Sequence, residues 1–272
     1  MAAPSRAEHS LLRVAEDVGR SVVRGLELVG LGASIASQAL SWLVLGRLRQ
    51  QPVRAAPVFV QMMQVGIGAL PIVSMLSITI GVMLAIQGID ALAPFGAEHQ
   101  VTIGVALSVT REFSPLITGI LVAGRSGSAL AARLGTMTIS NEVDALRVMG
   151  INPIRFLVVP SLVAMVVMLP ALVLWANFLA LLGAGLYITA ELGIGMGAYI
   201  DQTIAYLDVG DLMHGLAKSV IFAVLITIVA VVNGVSVRGG AEGVGRVTTS
   251  SVVHAISAIV VTDMIFVYVA TR

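Results

Sequence analysis

The sequence predicts an all-α integral membrane protein with an N-terminal interfacial helix, five transmembrane helices and one short helix outside the membrane. Hydrophobic residues make up 57% of the chain and charged residues only 11%, whereas roughly a quarter of the residues in a soluble domain are charged. The mean hydropathy is +0.98. Five apolar stretches are long enough to cross the hydrocarbon core at about 1.5 Å per helical residue. The basic residues gather in alternate connections between these stretches, as expected for a single orientation in a membrane.

The composition also excludes several classes of function. The chain has no cysteine, which excludes disulfides, thiolate metal sites and cysteine nucleophiles. The net charge of +1 gives no indication of nucleic-acid binding. The four histidines are scattered along the sequence and no nucleophile–base constellation stands out. The sequence therefore predicts neither a metal site nor an enzyme.

The first 57 residues form a predicted interfacial region that precedes a transmembrane domain at residues 58–272. Residues 1–27 carry four arginines among four acidic residues, with apolar residues at helical spacing, as in a helix that lies on a membrane surface. They lack the continuous apolar segment of a cleavable signal peptide. Residues 28–46 are apolar but contain serines, a glutamine and glycines. This segment could span the membrane or lie in the interface, and we favour the interface.

The five spans are predicted at residues 66–89, 101–124, 157–190, 212–235 and 248–270. The connections at residues 90–100 and 191–211 contain acidic residues but no arginine or lysine. The N-terminal region, the connection after the second span and the glycine-rich residues 236–247 all carry arginines. The positive-inside rule puts these basic segments in the cytoplasm. Because five spans are an odd number, the C-terminus is expected on the opposite side.

The connection between the second and third spans begins with small residues and continues as a charged helix. The small residues recur at helical spacing, with Gly127, Ala131 and Gly135 on one line and Gly124, Ser128 and Ala132 on the next. Such lines let two helices approach closely in a membrane. The charged helix contains Asn141, Glu142, Val143, Asp144, Leu146 and Arg147, and Gly150 and Pro153 are predicted to end it. A membrane helix that continues into a short amphipathic helix suggests a lever that meets a soluble partner.

Four ionisable residues fall within or at the edge of predicted spans, namely Arg111, Glu112, Lys218 and Asp263. Each costs about 2.5–3.5 kcal/mol at the middle of a bilayer, so we expect these residues to face a protein or water interior and to pair. Two interpretations remain open. The charges could form a salt-bridge cluster that locks the helices, or they could line or gate a polar patch along a substrate path.

Motifs between about residue 55 and the C-terminus identify the family that the chain resembles. They are GILVAGRSGSALAARLG at 119–135, VMGINP at 148–153, REFSP at 111–115, KSVIF at 218–222, NG at 233–234, RVTT at 246–249 and VVH at 252–254. Together they resemble the MlaE/YrbE permeases of ABC transporters that work with MCE-domain proteins. The four intramembrane charges match charged positions of that family.

The resemblance implies a homodimer in the bacterial inner membrane, with its N-terminus in the cytoplasm and its C-terminus in the periplasm. The implied partners are a cytoplasmic ABC ATPase, a periplasmic MCE-domain protein and a lipid substrate, typically a phospholipid. The short helix near residues 140–149 would be the coupling helix that docks into the ATPase. ATP and Mg²⁺ would bind to that ATPase, so this chain is expected to bind no cofactor.

Two other functions are compatible with the residues alone. Glu112, Lys218 and Asp263 could form a proton relay in a secondary transporter. The chain could also be a passive scaffold that anchors proteins of the cell envelope. The ABC permease predicts that an ATPase and lipid co-purify with the chain, the secondary transporter predicts a dependence on a pH gradient, and the scaffold predicts neither.

Overall fold

The computed structural model describes residues 6–45 and 55–270, and all regular structure within these residues is helical. The first helix, α1, covers Arg6–Leu45 and the second, α2, covers Ala55–Leu92. Short 3₁₀ turns at Ala93–Phe95 and Glu98–Gln100 then reverse the chain. The prediction of an all-α membrane protein is thus confirmed.

The chain returns as one continuous helix of residues 101–139, which we call the long helix. It consists of α3 (Val101–Ser108), α4 (Ser114–Val122) and α5 (Ser128–Ile139), joined without a break by two π-helical turns at Val109–Phe113 and Ala123–Gly127. At about 1.5 Å per residue, the long helix measures roughly 58 Å. It therefore extends well beyond a hydrocarbon core of about 30 Å.

The remaining elements complete an antiparallel bundle with two distinct ends. They are α6 (Glu142–Val148), a π turn at Ile154–Val158, α7 (Val159–Leu192), α8 (Met196–Tyr206), α9 (Val209–Val235) and α10 (Gly240–Ala270). Because the long elements alternate in direction, α6 and α8 lie at opposite ends of the bundle. We refer to these as the α6 end and the α8 end.

Close backbone contacts hold α2 against α7. Lipid tails are as apolar as leucine, so helices in a membrane associate mainly through tight packing and polar pairs. Gly81 of α2 lies so close to the carbonyl of Ala180 that a Cβ atom would overlap it. Gly183 of α7 approaches the carbonyl of Ile78 in the same way. The two helices can therefore pack along most of their length.

Six helices of the described residues are long and apolar enough to cross a membrane. Five of them contain the five predicted spans. The sixth candidate, Gly25–Leu43, lies within α1, where the sequence left spanning and interfacial placement open. Ile35 and Ala39 of this segment are buried against α9 and the start of α7. Residues 1–5 and 46–54 of the predicted N-terminal region lie outside the described residues, and its last three residues, 55–57, belong to α2.

Two connections that were expected to be loops are partly helical. Residues 191–211 contain α8, and residues 236–247 contain the start of α10. The reason for α8 is Tyr199, whose ring packs on Gly185 and whose hydroxyl donates a hydrogen bond to the carbonyl of Leu181 at 2.8 Å. Burial raises the pKa of the Tyr199 phenol. This anchor fixes α8 against α7 although the surrounding sequence is rich in glycine.

Candidate functional site

Three polar side chains lie on one face of α9 at the α8 end. His214 follows Asp211 by three residues and Lys218 follows Asp211 by seven, which places all three on one side of the helix. The helix begins with a capping box, in which the side chains of Asp208 and Asp211 each accept a hydrogen bond from the other residue's backbone N–H. The cap fixes the first turn of α9, and with it the position of Asp211.

The first π turn of the long helix places Arg111 and Glu112 against this face of α9. Gly215 makes the approach possible, because a Cβ atom there would overlap the carbonyl oxygen of Thr110. The wide turn therefore sits directly on α9, between Asp211 and Lys218. Its two adjacent charged side chains reach different partners on α9.

Lys218 joins three helices although its side chain is completely buried, with 0% exposure. Its Nζ lies 2.5 Å from Glu112 Oε2 on the long helix, to which it donates a hydrogen bond. It also lies 3.0 Å from Asp263 Oδ1 on α10. A buried charge is tolerated only where partners compensate its lost hydration, and here two carboxylates do so.

Arg111 pairs with Asp211 rather than with Glu112 or Asp263. Its Nε donates to Asp211 Oδ1 at 2.6 Å, and its Nη2 contacts the same oxygen. The other carboxylate oxygen of Asp211 accepts the backbone N–H of Asp208 at 3.0 Å. Asp211 is buried, whereas half of the Arg111 side chain is exposed. One carboxylate thus holds both the helix cap and the arginine.

The network borders a pocket of about 360 Å³ that opens at the α8 end. The pocket is lined by Arg111, Glu112, Asp208, Gly210, Asp211, His214 and Val267. His214 Nε2 lies 4.0 Å from Glu112 Oε1, and its ring packs edge-on against Phe266 with 4.8 Å between the ring centres. We refer to the five paired charges and His214 as the charge network. Such a pocket can receive a polar or charged group next to charges that are already paired, with three carboxylates facing two basic side chains.

The short helix at the other end leaves most of its charged side chains exposed. Glu142, Asp144 and Arg147 are exposed, and Arg147 Nη1 donates to Asp144 Oδ1 at 2.9 Å. Leu146 is the exception, because only 8% of it is exposed. Its side chain therefore docks α6 onto the bundle and is not available to a partner.

The flanking residues of α6 agree with the predicted ends of this helix. Asn141 has a left-handed backbone (φ 58°) between α5 and α6, which asparagine tolerates better than most residues. Gly150 has φ 75° after α6, as expected for a C-terminal glycine. Val148 is 89% exposed, although it is apolar. Val143 is half-buried.

The two lines of small residues have different surroundings. Gly127, Ala131 and Gly135 are buried against α9, where Gly234 approaches the Ala131 carbonyl. On the second line, no heavy atom of the described residues outside the backbone of its own helix comes within 4 Å of a Cβ atom placed on Gly124. Ser128 instead donates a hydrogen bond to the Gly124 carbonyl at 2.5 Å. Only the first line packs helix on helix within the described residues.

The structure adds Asp211 and His214 to the residues that were singled out from the sequence. Both were missed because the predicted fourth span began at residue 212. This start left Asp211 in the preceding connection and His214 in the first turn of the predicted span. The spacing of seven residues between Asp211 and Lys218 was the available signal, because it places both on one helix face.

Comparisons with known proteins give one family and several relatives. The family model Permease MlaE matches residues 58–269. A probable ABC transporter permease protein of Rickettsia typhi is 33% identical over 261 residues, which are 94% of this chain and 99% of that protein. The intermembrane phospholipid transport system permease protein MlaE of Haemophilus influenzae is 33% identical over 213 residues, or 77% and 81% of the two chains. The chloroplastic protein TRIGALACTOSYLDIACYLGLYCEROL 1 of Arabidopsis thaliana is 35% identical over 205 residues, or 75% and 59%.

Proposed function

Because the chain belongs to the MlaE permease family, we propose that it is the membrane subunit of an ATP-driven transporter that moves phospholipids between the bacterial inner membrane and the cell envelope. As an ABC transporter permease it is a transport component rather than an enzyme. The relative from Haemophilus influenzae is named for intermembrane phospholipid transport. That name supports a phospholipid as the substrate.

The observation that carries this proposal is the physical connection between the two ends of the bundle. The long helix brings Arg111 and Glu112 to the charge network and continues at its other end, through Asn141, into α6. A helix transmits displacement along its axis, and packed elements change between discrete arrangements. A movement of α6 would therefore shift Arg111 and Glu112 relative to their partners on α9. The pocket at the α8 end would then open or close around a lipid headgroup.

The driving force is proposed to come from a separate ATPase that binds α6. The exposed face of this helix carries Glu142, Asp144, Arg147 and Val148. These side chains offer both charge and an apolar contact to a soluble partner, as at other protein interfaces. ATP and Mg²⁺ would bind to the ATPase, and this chain would bind no cofactor of its own.

The distribution of charge supports an orientation. Among the described residues, the connections at the α6 end carry Arg147 and Arg238, whereas those at the α8 end carry acidic residues and neither arginine nor lysine. The positive-inside rule therefore places the α6 end in the cytoplasm, with the C-terminus at the periplasmic side. An MCE-domain protein would bind at the α8 end, next to the charge network. A second copy of the chain would complete a two-fold symmetric channel.

The proposal is tested by a substitution on the exposed side of α6. Val148→Asp removes an apolar contact without touching the buried Leu146, so we expect at least a tenfold loss of co-purifying ATPase. The matched control is Val209→Asp, an equally simple change at a valine that is 76% exposed at the α8 end. The control should retain the ATPase.

Transport itself is measured with fluorescent phospholipid in proteoliposomes that contain the chain, the ATPase and the MCE-domain protein. We expect transfer that requires ATP and that Val148→Asp abolishes. Transfer that follows an imposed pH gradient without ATP would refute the proposal and favour a proton relay through the charge network. Full ATPase binding by Val148→Asp would show that α6 is not the coupling helix.

A further inference from the structure

A second polar cavity lies toward the α6 end and takes no part in the charge network. It measures about 320 Å³ and lies between α2, the segment from the second π turn into α5, and the start of α7. Its polar lining consists of Gln61, Gln64, Arg125, Ser126, Arg133 and Ser161, and its apolar lining of Val65, Ala129, Leu130 and Met165. Two guanidinium groups therefore stand next to an apolar wall. We call this space the arginine cavity.

The two arginines of this cavity have no counter-charge in the part of the chain that the structure describes. Within residues 6–45 and 55–270, neither Arg125 nor Arg133 forms an ion pair, and no acidic residue lines the cavity. Arg111 and Lys218 elsewhere in the bundle are each paired with carboxylates. A positive charge within a membrane protein is costly unless something compensates it. An anion in the arginine cavity would provide that compensation.

The hydrogen bonds of Arg133 point to the same conclusion. Its Nη2 donates a hydrogen bond to Ser161 Oγ at 3.3 Å. The Gln61 amide is assigned with its oxygen toward Arg133, because only donors surround that position, and this oxygen accepts a hydrogen bond from Nη2 at 2.9 Å. Both acceptors are neutral, so they orient the guanidinium without balancing its charge. Arg133 Nε and Ser126 Oγ are buried, and neither has a hydrogen-bond partner among the described residues. Buried donors of this kind normally have an acceptor, and here the acceptor is missing.

Arg125 completes the cavity on its open side. Its Nη1 donates to the backbone carbonyl of Gln64 at 3.2 Å. Arg125, Gln64 and Ala129 are exposed, so the cavity is open at the outer surface of the bundle. Arg133 lies six residues before the end of α5, or about 9 Å along the helix axis. The cavity thus lies toward the α6 end of the bundle, away from the charge network.

We propose that the arginine cavity binds the phosphate group of a phospholipid from the leaflet on the α6 side, with Arg125 and Arg133 as its ligands. A guanidinium offers paired, charge-assisted hydrogen bonds that fit phosphate oxygens. The apolar wall with Val65 and Met165 would contact the start of an acyl chain. The role of this site as an entry point for the transported lipid rests on the proposed function, whereas lipid binding can be measured without transport.

The test is a binding experiment with the full-length chain in detergent and three probes. The probes are dioleoylphosphatidylglycerol, dioleoylglycerol, which has the same acyl chains without phosphate, and inorganic phosphate. We expect Arg125→Gln and Arg133→Gln each to raise the Kd of dioleoylphosphatidylglycerol about tenfold, the loss of one charge-assisted hydrogen-bonding group. Arg246→Gln is the matched control, because Arg246 is exposed near the same end of the bundle and lies outside the cavity. Dioleoylglycerol should bind weakly to every variant.

A second variant separates a binding role from a structural one. Gln61→Glu places a carboxylate beside Arg133, so we expect a higher Tm together with weaker binding of dioleoylphosphatidylglycerol. A purely structural Arg133 would gain the same stability without any change in lipid binding. Unchanged lipid binding in the Arg125→Gln/Arg133→Gln double variant would overturn the proposal. Inorganic phosphate that binds as tightly as the lipid would overturn the lipid assignment in favour of free phosphate.

The two proposals fail in different ways. If the double variant loses lipid binding while the wild-type complex shows no ATP-dependent transfer, the arginine cavity is supported as a lipid-binding site and the proposed transport function is refuted. If transfer depends on ATP while the double variant binds lipid normally, the transport function stands and the cavity assignment falls.

Discussion

Replacing Lys218 by methionine should expose how much the charge network contributes to stability. The lysine is fully buried, and its Nζ lies 2.5 Å from Glu112 Oε2 and 3.0 Å from Asp263 Oδ1. Methionine fills a similar volume but leaves two carboxylates near each other without a cation. Removing one partner from a buried ion pair costs about 3–5 kcal/mol. At roughly 2–4 °C per kcal/mol for a chain of this size, we expect Tm to fall by about 6–20 °C.

The pairing is measured by combining Lys218→Met with Asp263→Asn and following tryptophan fluorescence during thermal unfolding in lipid nanodiscs. The double variant should lose less stability than the sum of the single variants, with a coupling of about 1–3 kcal/mol. Arg246→Met is the control, since Arg246 and Glu242 form an exposed pair that should contribute nothing measurable. Additive losses for Lys218 and Asp263 would refute the inference that they stabilise each other.

Three further predictions concern the same framework. Gly215→Ala should destabilise the bundle by about 1–3 kcal/mol, because the added methyl group collides with the π turn. The control Gly210→Ala adds a methyl group in open space and should change Tm little. Equal changes in Tm for the two variants would contradict the close approach at Gly215. Asp211→Asn should keep the hydrogen bond from the Asp208 backbone N–H but lose the negative charge that pairs with Arg111. Its Tm should therefore fall less than that of Asp211→Ala. Equal decreases in Tm would argue against a role of Asp211 in both the helix cap and the ion pair. Leu146→Ala should lower stability by about 2 kcal/mol while ATPase binding per folded chain stays intact; a selective loss of binding would place Leu146 at the partner interface.

The sequence was sufficient to predict five of the six helices that are long and apolar enough to cross a membrane, and the short helix after the second span. Apolar length and the distribution of arginines carry that information locally. Pro153 and Gly150 likewise mark the end of α6 through backbone geometry alone. The extent of the helices was underestimated, since α2 begins at Ala55 and the long helix continues to Ile139. The added residues of the long helix include Arg125, Arg133 and several hydroxyl side chains, which lower the hydropathy beyond the predicted span. Residues 55–65 of α2 are mostly apolar, and they exceed the length that a bilayer requires.

The partners within the charge network could not be predicted from the sequence in full. The sequence identified Lys218 and Asp263 as charges that must pair, but it could not assign Arg111 to Asp211. That pairing depends on the π turn, which points Arg111 in a different direction from the one it would have in a regular α-helix. It also depends on Gly215, which lets the backbone of the π turn contact α9. The formation of α8 also depends on tertiary packing, because the glycine-rich sequence around it shows no helical periodicity of apolar residues.

The two π turns make the long helix sensitive to the number of its residues. Each π turn holds one residue more than a regular turn, so the orientation of α4 relative to α3 and α5 is set by these two extra residues. Deleting a single residue from α4, between the two π turns, would rotate everything beyond it by about 100°. The arginine cavity and the charge network would then no longer face inward together, although hydropathy along the chain would hardly change. Length, rather than polarity, is therefore the property of this segment that natural variation can alter least.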